Sequence, residues 1–110
     1  YIFSSSSSSQ LTVKNKFFFK CDDDLYGNEG NDTLKGGDGS DYIDGGTGND
    51  TIRGNAGADL IVGRDGKDTI DAGDGDDDIY GGKGDDRLLG GKGTDYITGQ
   101  SGNDFLSGGE

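Results

Sequence analysis

The stretch Gly36–Arg53 constrains this chain more than any other. It reads GGDGSDYID and then GGTGNDTIR, two nine-residue units in one register. The period runs from Gly27 to Ser107 without a slip, giving nine consecutive units. The fourth position is always glycine, from Gly30 to Gly102. The sixth is always aspartate: Asp32, Asp41, Asp50, Asp59, Asp68, Asp77, Asp86, Asp95 and Asp104. The eighth is always Leu or Ile, from Leu34 to Leu106. A degenerate unit at 18–26 keeps Asp23 and Leu25 but has Cys21 in place of the glycine, and a further unit begins at Gly108. A flexible linker needs no phase, whereas a fixed short period is the mark of a stack of like turns.

Composition sharpens the constraint. Of 110 residues only 27% are hydrophobic, 24 are glycine and none is proline, and the net charge is −12. A conventional core cannot be assembled from this, and such acidity ordinarily keeps a chain unfolded unless a cation neutralises it. One cysteine excludes an intrachain disulfide, and with no histidine a zinc or haem site is excluded in practice. The charge opposes binding to nucleic acid or to an anionic membrane surface, and no apolar run approaches the roughly 20 residues of a membrane span.

The pattern predicts an all-β chain. The glycine-rich half of each unit, such as Gly45–Asp50, reads as a tight turn, and x-aliphatic-x, such as Thr51-Ile52-Arg53, as a three-residue strand with one inward side chain. Two successive units make one turn of a coil, and stacked coils form two short parallel sheets roughly 4.8 Å apart strand to strand. Ten units give about five turns, a stack roughly 24 Å tall. Residues 18 apart then lie one above another. One edge carries Asp23, Asp41, Asp59, Asp77 and Asp95, and the other Asp32, Asp50, Asp68, Asp86 and Asp104. Unit charges at this spacing repel by about 3.5 kcal/mol at an effective dielectric of 20, so a hard divalent cation between coils is expected. Ligands that are all oxygen suit Ca²⁺, which tolerates irregular six- to eight-fold geometry, better than Mg²⁺.

These units resemble the RTX, or haemolysin-type, calcium-binding repeats of secreted bacterial toxins, proteases, lipases and adhesins. The resemblance covers about three quarters of the chain. It implies a right-handed parallel β-roll. It also implies that each Ca²⁺ sits between stacked turns, held by the sixth-position aspartates of both and by turn carbonyls. Carried over, the metal residues are Asp32, Asp41, Asp50, Asp59, Asp68, Asp77, Asp86, Asp95 and Asp104. The carbonyls come from the most regular turns: Gly36, Gly37 and Gly39; Gly45, Gly46 and Gly48; Gly81, Gly82 and Gly84; Gly90, Gly91 and Gly93. Up to about eight ions are implied, and a secreted, extracellular setting with folding on calcium binding. No catalytic residue is expected within the repeats, since the enzymes that resemble this chain carry their catalytic groups in other domains.

Departures from the pattern single out particular units. Asn28 and Asn55 replace the second glycine, as do Arg64 and Gln100, which tolerate positive φ less readily. Ala72 replaces a first glycine, and Lys67, Lys83 and Lys92 place cations in the turns. The sites using Gly63–Asp68 and Gly99–Asp104 are expected to be weakest or empty. The off-register Asp22, Asp24, Asp44, Asp71, Asp74, Asp76 and Asp78 read as solvated turn formers.

Residues 1–17 are expected to form a non-repeat, partly disordered segment before a roll at 18–110. It holds the serine run Ser4–Ser9 and a short strand at Leu11–Lys14. Phe17-Phe18-Phe19 is a candidate cap for the first coil, a partner surface, or part of a larger domain cut through there. On the outside, Tyr26, Tyr42, Tyr80 and Tyr96 gather with Leu60 and Val62 on one sheet. Aromatics favour strands in any case, and the same face also reads as a docking surface for a protein or surface partner. No P-loop, nucleophile elbow or EF-hand loop is present.

Overall fold

The computed structural model of the chain describes Ile2–Ser4, as backbone, and residues 22–110. Its strands are β1 (Ile2–Ser4), β2 (Asp24–Tyr26), β3 (Thr33–Asp38), β4 (Tyr42–Thr47), β5 (Thr51–Ala56), β6 (Leu60–Asp65), β7 (Thr69–Asp74), β8 (Asp78–Lys83), β9 (Arg87–Lys92), β10 (Tyr96–Ser101) and β11 (Phe105–Ser107). Alternate strands join the same sheet. One sheet runs β1-β2-β4-β6-β8-β10 and the other β11-β9-β7-β5-β3, with every pairing parallel. The chain is thus a β-solenoid of about five turns, as the period predicts. Partners in the ladder lie 18 residues apart throughout β2–β11, for example Ile43 with Ile61 and Ile52 with Ile70.

The strands are longer than the sequence suggested. Each full strand has six residues and takes in the first three positions of the next unit, as in Tyr42-Ile43-Asp44-Gly45-Gly46-Thr47. Only the Gly-x-Asp triplet turns. First-position glycines are absent from the positive-φ set and so carry the ladder onward. Lys83 and Lys92 accordingly end strands rather than sit in turns, in register with Asp65 and Asp74 on the neighbouring strands. Second positions, by contrast, take the left-handed region whatever the residue: Asn28 (φ 67), Asn55 (φ 77), Arg64 (φ 79) and Gln100 (φ 69). The coil imposes that bend, and arginine and glutamine adopt it at a cost of about 1–2 kcal/mol each.

The core is the thin row the eighth positions promised. Leu25, Leu34, Ile43, Ile52, Ile61, Ile70, Ile79 and Leu88 are fully buried, joined by Ala72, with Ile97 packed against them. Each buried aliphatic contributes about 1.5–3 kcal/mol. The row thins towards the last coil, where Leu106 is exposed. At the other end β1 lies against β2, pairing Ile2 with Asp24 and Ser4 with Tyr26. The first sheet is therefore extended by Ile2–Ser4, within the non-repeat segment 1–17, where the sequence pattern placed a strand only at Leu11–Lys14. The expected strand at Leu11–Lys14 and cap at Phe17–Phe19 lie outside the described residues.

Candidate metal centre

Each turn ends at its aspartate, one residue before the next strand, so sixth-position side chains leave the backbone at one of two equivalent corners of each coil. Asp32, Asp41, Asp50, Asp59, Asp68, Asp77 and Asp86 are buried, none more than 3% exposed, while Asp95 and Asp104 are half-buried. The carboxylates form two unbroken ladders. On one edge Asp23 N–H donates to Asp41 Oδ1 at 2.8 Å, Asp41 to Asp59 at 2.8 Å, Asp59 to Asp77 at 2.8 Å and Asp77 to Asp95 at 3.0 Å. On the other, Asp32 N–H donates to Asp50 Oδ1 at 2.8 Å, Asp50 to Asp68 at 2.9 Å, Asp68 to Asp86 at 2.8 Å and Asp86 to Asp104 at 2.9 Å. A backbone donor thus holds one oxygen of each carboxylate onto the preceding coil.

The second oxygen is the informative one. Oδ2 of Asp41, Asp50, Asp59, Asp68, Asp77, Asp86 and Asp95 is buried and has no hydrogen-bond partner. What it faces follows from the first-position glycines. A Cβ on Gly45 would lie 2.7 Å from Asp50 Oδ2 and 2.9 Å from the Gly63 carbonyl oxygen. On Gly63 it would lie 2.5 Å from Asp68 Oδ2 and 2.6 Å from Gly81 O, and on Gly81 2.6 Å from Asp86 Oδ2 and 3.0 Å from Gly99 O. Gly36 and Gly90 repeat the arrangement with Asp41 and Asp95. At every such corner a carboxylate oxygen and a carbonyl oxygen converge on one small space, with no donor for that carboxylate oxygen. Buried acceptors left this way are costly, and a hard cation that takes several oxygens at 2.3–2.6 Å satisfies them. Among the described residues no group of three acidic side chains is placed to hold a metal ion by itself.

Burial sets the protonation of these groups. Asp41 and Asp50 are pushed up from 3.8 to about 6, and Asp59 and Asp68 to about 7. Asp77 and Asp86 are raised as well. Loss of water is the largest cause in every case, the backbone N–H opposes it, and the neighbouring carboxylates add to the rise. Mutual repulsion, which the spacing brought to the fore, is therefore not the largest cause of the rise. The largest is that these carboxylates are taken out of water.

The other predicted turn residues divide by position. The first-position carbonyls of Gly45 and Gly81 face the carboxylates of neighbouring units. The second-position carbonyl of Gly91 accepts from Glu110 N–H at 2.8 Å and so serves the sheet ladder, on the same pattern as Asn28 with Thr47 N–H at 2.7 Å. Gly37, Gly46 and Gly82 occupy the equivalent strand position with positive φ. At the fourth position, Gly39, Gly48, Gly84 and Gly93 turn the chain and donate to Ala56, Asp65, Ser101 and Glu110 carbonyls.

A family model of four copies of the RTX calcium-binding nonapeptide repeat matches residues 22–52, 53–88 and 80–110. The chain belongs to the RTX repeat family. RTX repeats bind calcium, and their β-roll is a structural module rather than a catalytic one. Neither among curated proteins nor among solved structures does any match.

Two features of this RTX roll escaped the sequence reading. Fifth-position side chains form a second ladder of opposite sense. Ser40 N–H donates to Asp22 Oδ1 (2.9 Å), Asn49 to Asn31 (2.8 Å), Lys67 to Asn49 (2.8 Å), Thr94 to Asp76 (2.9 Å) and Asn103 to Asp85 (2.9 Å). Asp22 and Asp76 therefore bond across coils instead of merely solvating a turn. The recurrence of Asn and Asp at that position was the available signal. Asp44, also read as solvated, is only 8% exposed, and both its oxygens accept from Arg64 Nε at 2.7 Å. The Arg64 charge is thus spent on Asp44, across the β4–β6 ladder.

Proposed function

We propose that this chain is a calcium-dependent folding module. Asp32, Asp41, Asp50, Asp59, Asp68, Asp77, Asp86, Asp95 and Asp104 are its metal carboxylates. The turn carbonyls of units such as 36–44, 45–53, 81–89 and 90–98 supply further oxygens, and up to about eight ions are held. The observation that carries this reading is the row of buried Oδ2 atoms without donors. Removing the cation leaves those oxygens buried and unmet on a chain of net charge −12 with a core one residue deep. Binding free energy is then folding free energy. Extracellular calcium modules bind at roughly 10⁻⁴–10⁻³ M, so the chain stays unfolded where calcium is scarce and folds after export. A place in a larger secreted protein of the toxin, protease, lipase or adhesin kind, leaving the cell by a type I-like route, accords with the resemblance. Circular dichroism with a few millimolar calcium and with chelator tests this: β signal appears with calcium, and an unchanged spectrum refutes it.

A second reading, a permanently calcium-loaded adhesion rod, draws on the outer face of the first sheet. Tyr96 is 57% and Leu60 40% exposed there. Tyr26 packs edge-on against Tyr42 at 5.7 Å and Tyr80 against Tyr96 at 5.8 Å, so the rings also support each other within the sheet. Replacing Tyr42 and Tyr96 by Asp abolishes partner binding and spares folding on this reading.

A further inference from the structure

One corner of the roll is built differently from the rest. At Gly45, Gly63 and Gly81 the space beside the first-position α-carbon is bounded by an aspartate Oδ2 and a carbonyl oxygen, within 2.5–3.0 Å of where a methyl would lie. The same pair bounds it at Gly36, Gly54 and Gly90. At position 72 that methyl is present. Ala72 is fully buried and counted among the core aliphatics, and Asp77, the aspartate of its unit, is fully buried too. Asp77 Oδ1 still accepts from Asp59 N–H at 2.8 Å, so the carboxylate keeps its place in the ladder, and its Oδ2 is without a partner like the others. The backbone does not compel glycine here, since first positions do not take positive φ.

We propose that the Ala72 methyl closes the ion position served by Asp77 Oδ2. The roll then holds one Ca²⁺ fewer than its repeat count implies, and the row Asp41–Asp59–Asp77–Asp95 is split into two separately loaded parts. The proposal rests on the calcium reading above. The reason is space: at the glycine corners a methyl would fall between the carboxylate and carbonyl oxygens, where a cation's coordination sphere must close, and a methyl offers no lone pair. The opposite edge has glycine at every first position from Gly27 to Gly99 and loads as one continuous row.

Native mass spectrometry of the whole chain at increasing calcium counts bound ions directly. Ala72→Gly is expected to raise the maximum count by one. Asp50→Asn, at a corner where Gly45 leaves the space open, lowers the count of the parent chain. Gly54→Ala copies the blockage one coil earlier and lowers the count by one. Should it fail to fold, Ala72→Gly, which changes only a buried methyl, still decides. Equal counts for the parent chain and Ala72→Gly overturn the proposal and leave the calcium reading intact. Absence of bound calcium from both overturns the two together.

Discussion

Asp68→Asn separates the two roles that the structure gives a sixth-position carboxylate. Asp68 is 1% exposed; its Oδ1 accepts from Asp50 N–H at 2.9 Å, and its Oδ2 has no donor while facing the Gly81 carbonyl oxygen. Asparagine keeps the first bond through its own Oδ1. It replaces the second oxygen with an N–H₂ group that donates to the carbonyl already there. Without calcium the variant therefore gains a hydrogen bond of about 0.5–1.5 kcal/mol and loses a buried unmet acceptor costing about 1–3 kcal/mol. A net gain of about 2 kcal/mol raises the folded fraction of the metal-free chain about 30-fold. With calcium the sign reverses, because a charged ligand has been lost. The assay is circular dichroism in two series. One is metal-free with chelator, using an excluded osmolyte such as trimethylamine N-oxide to drive folding; the other is titrated with calcium. Asp68→Asn should fold at lower osmolyte and at higher calcium than the parent chain. A variant less stable in both series refutes the account, for it would mean that Oδ2 was not short of a donor.

Three further outcomes follow from the same geometry. In chelator, lowering the pH from 7.5 to 4 should promote β structure. Asp41, Asp50, Asp59 and Asp68 have folded-state values of about 6–7 against 3.8, so their contribution is full below about pH 4 and is lost as pH rises through 6–7. With all four taking up a proton, the folding constant changes by up to about 10⁴ per pH unit, and melting of the metal-free chain by acid would contradict this. Ile70→Ala, at a fully buried site, should cost about 2–5 kcal/mol in calcium-saturated urea unfolding, against under 0.5 kcal/mol for Thr51→Ala on the exposed outer face. Gln100→Gly should stabilise the loaded roll by about 1 kcal/mol by relieving its positive φ, whereas Arg64→Gly gains less in the same assay because the Asp44 ion pair goes with it.

The nine-residue phase made the fold legible because it bears on three things at once: where the chain turns, which side chain points in, and what lies above what. Ile43 over Ile61 and Asp41 over Asp59 both follow from counting 18. Strand length did not follow. Glycine was read as a turn former, yet Gly45 lies in extended backbone and is small for another reason, the carboxylate oxygen beside it. Charge spacing pointed to the right aspartates, but by way of repulsion, when the larger effect is burial, which a sequence does not display. Asp44 was misread because its partner Arg64 is twenty residues away, off the period, and the two meet only when the arginine reaches back across a strand. The fifth position went unremarked because Asn, Asp, Ser, Lys, Ala and Thr all occur there, and only some of them can accept a bond.

The two ladders run in opposite senses: sixth-position amides are served by the following coil, and fifth-position amides by the preceding one. Every one of these links spans the same short length of chain. Lengthening such an array adds height without adding longer loops to close, so the search for each new contact stays as quick in a tall stack as in a short one. A longer rod of this kind therefore meets no kinetic penalty from topology.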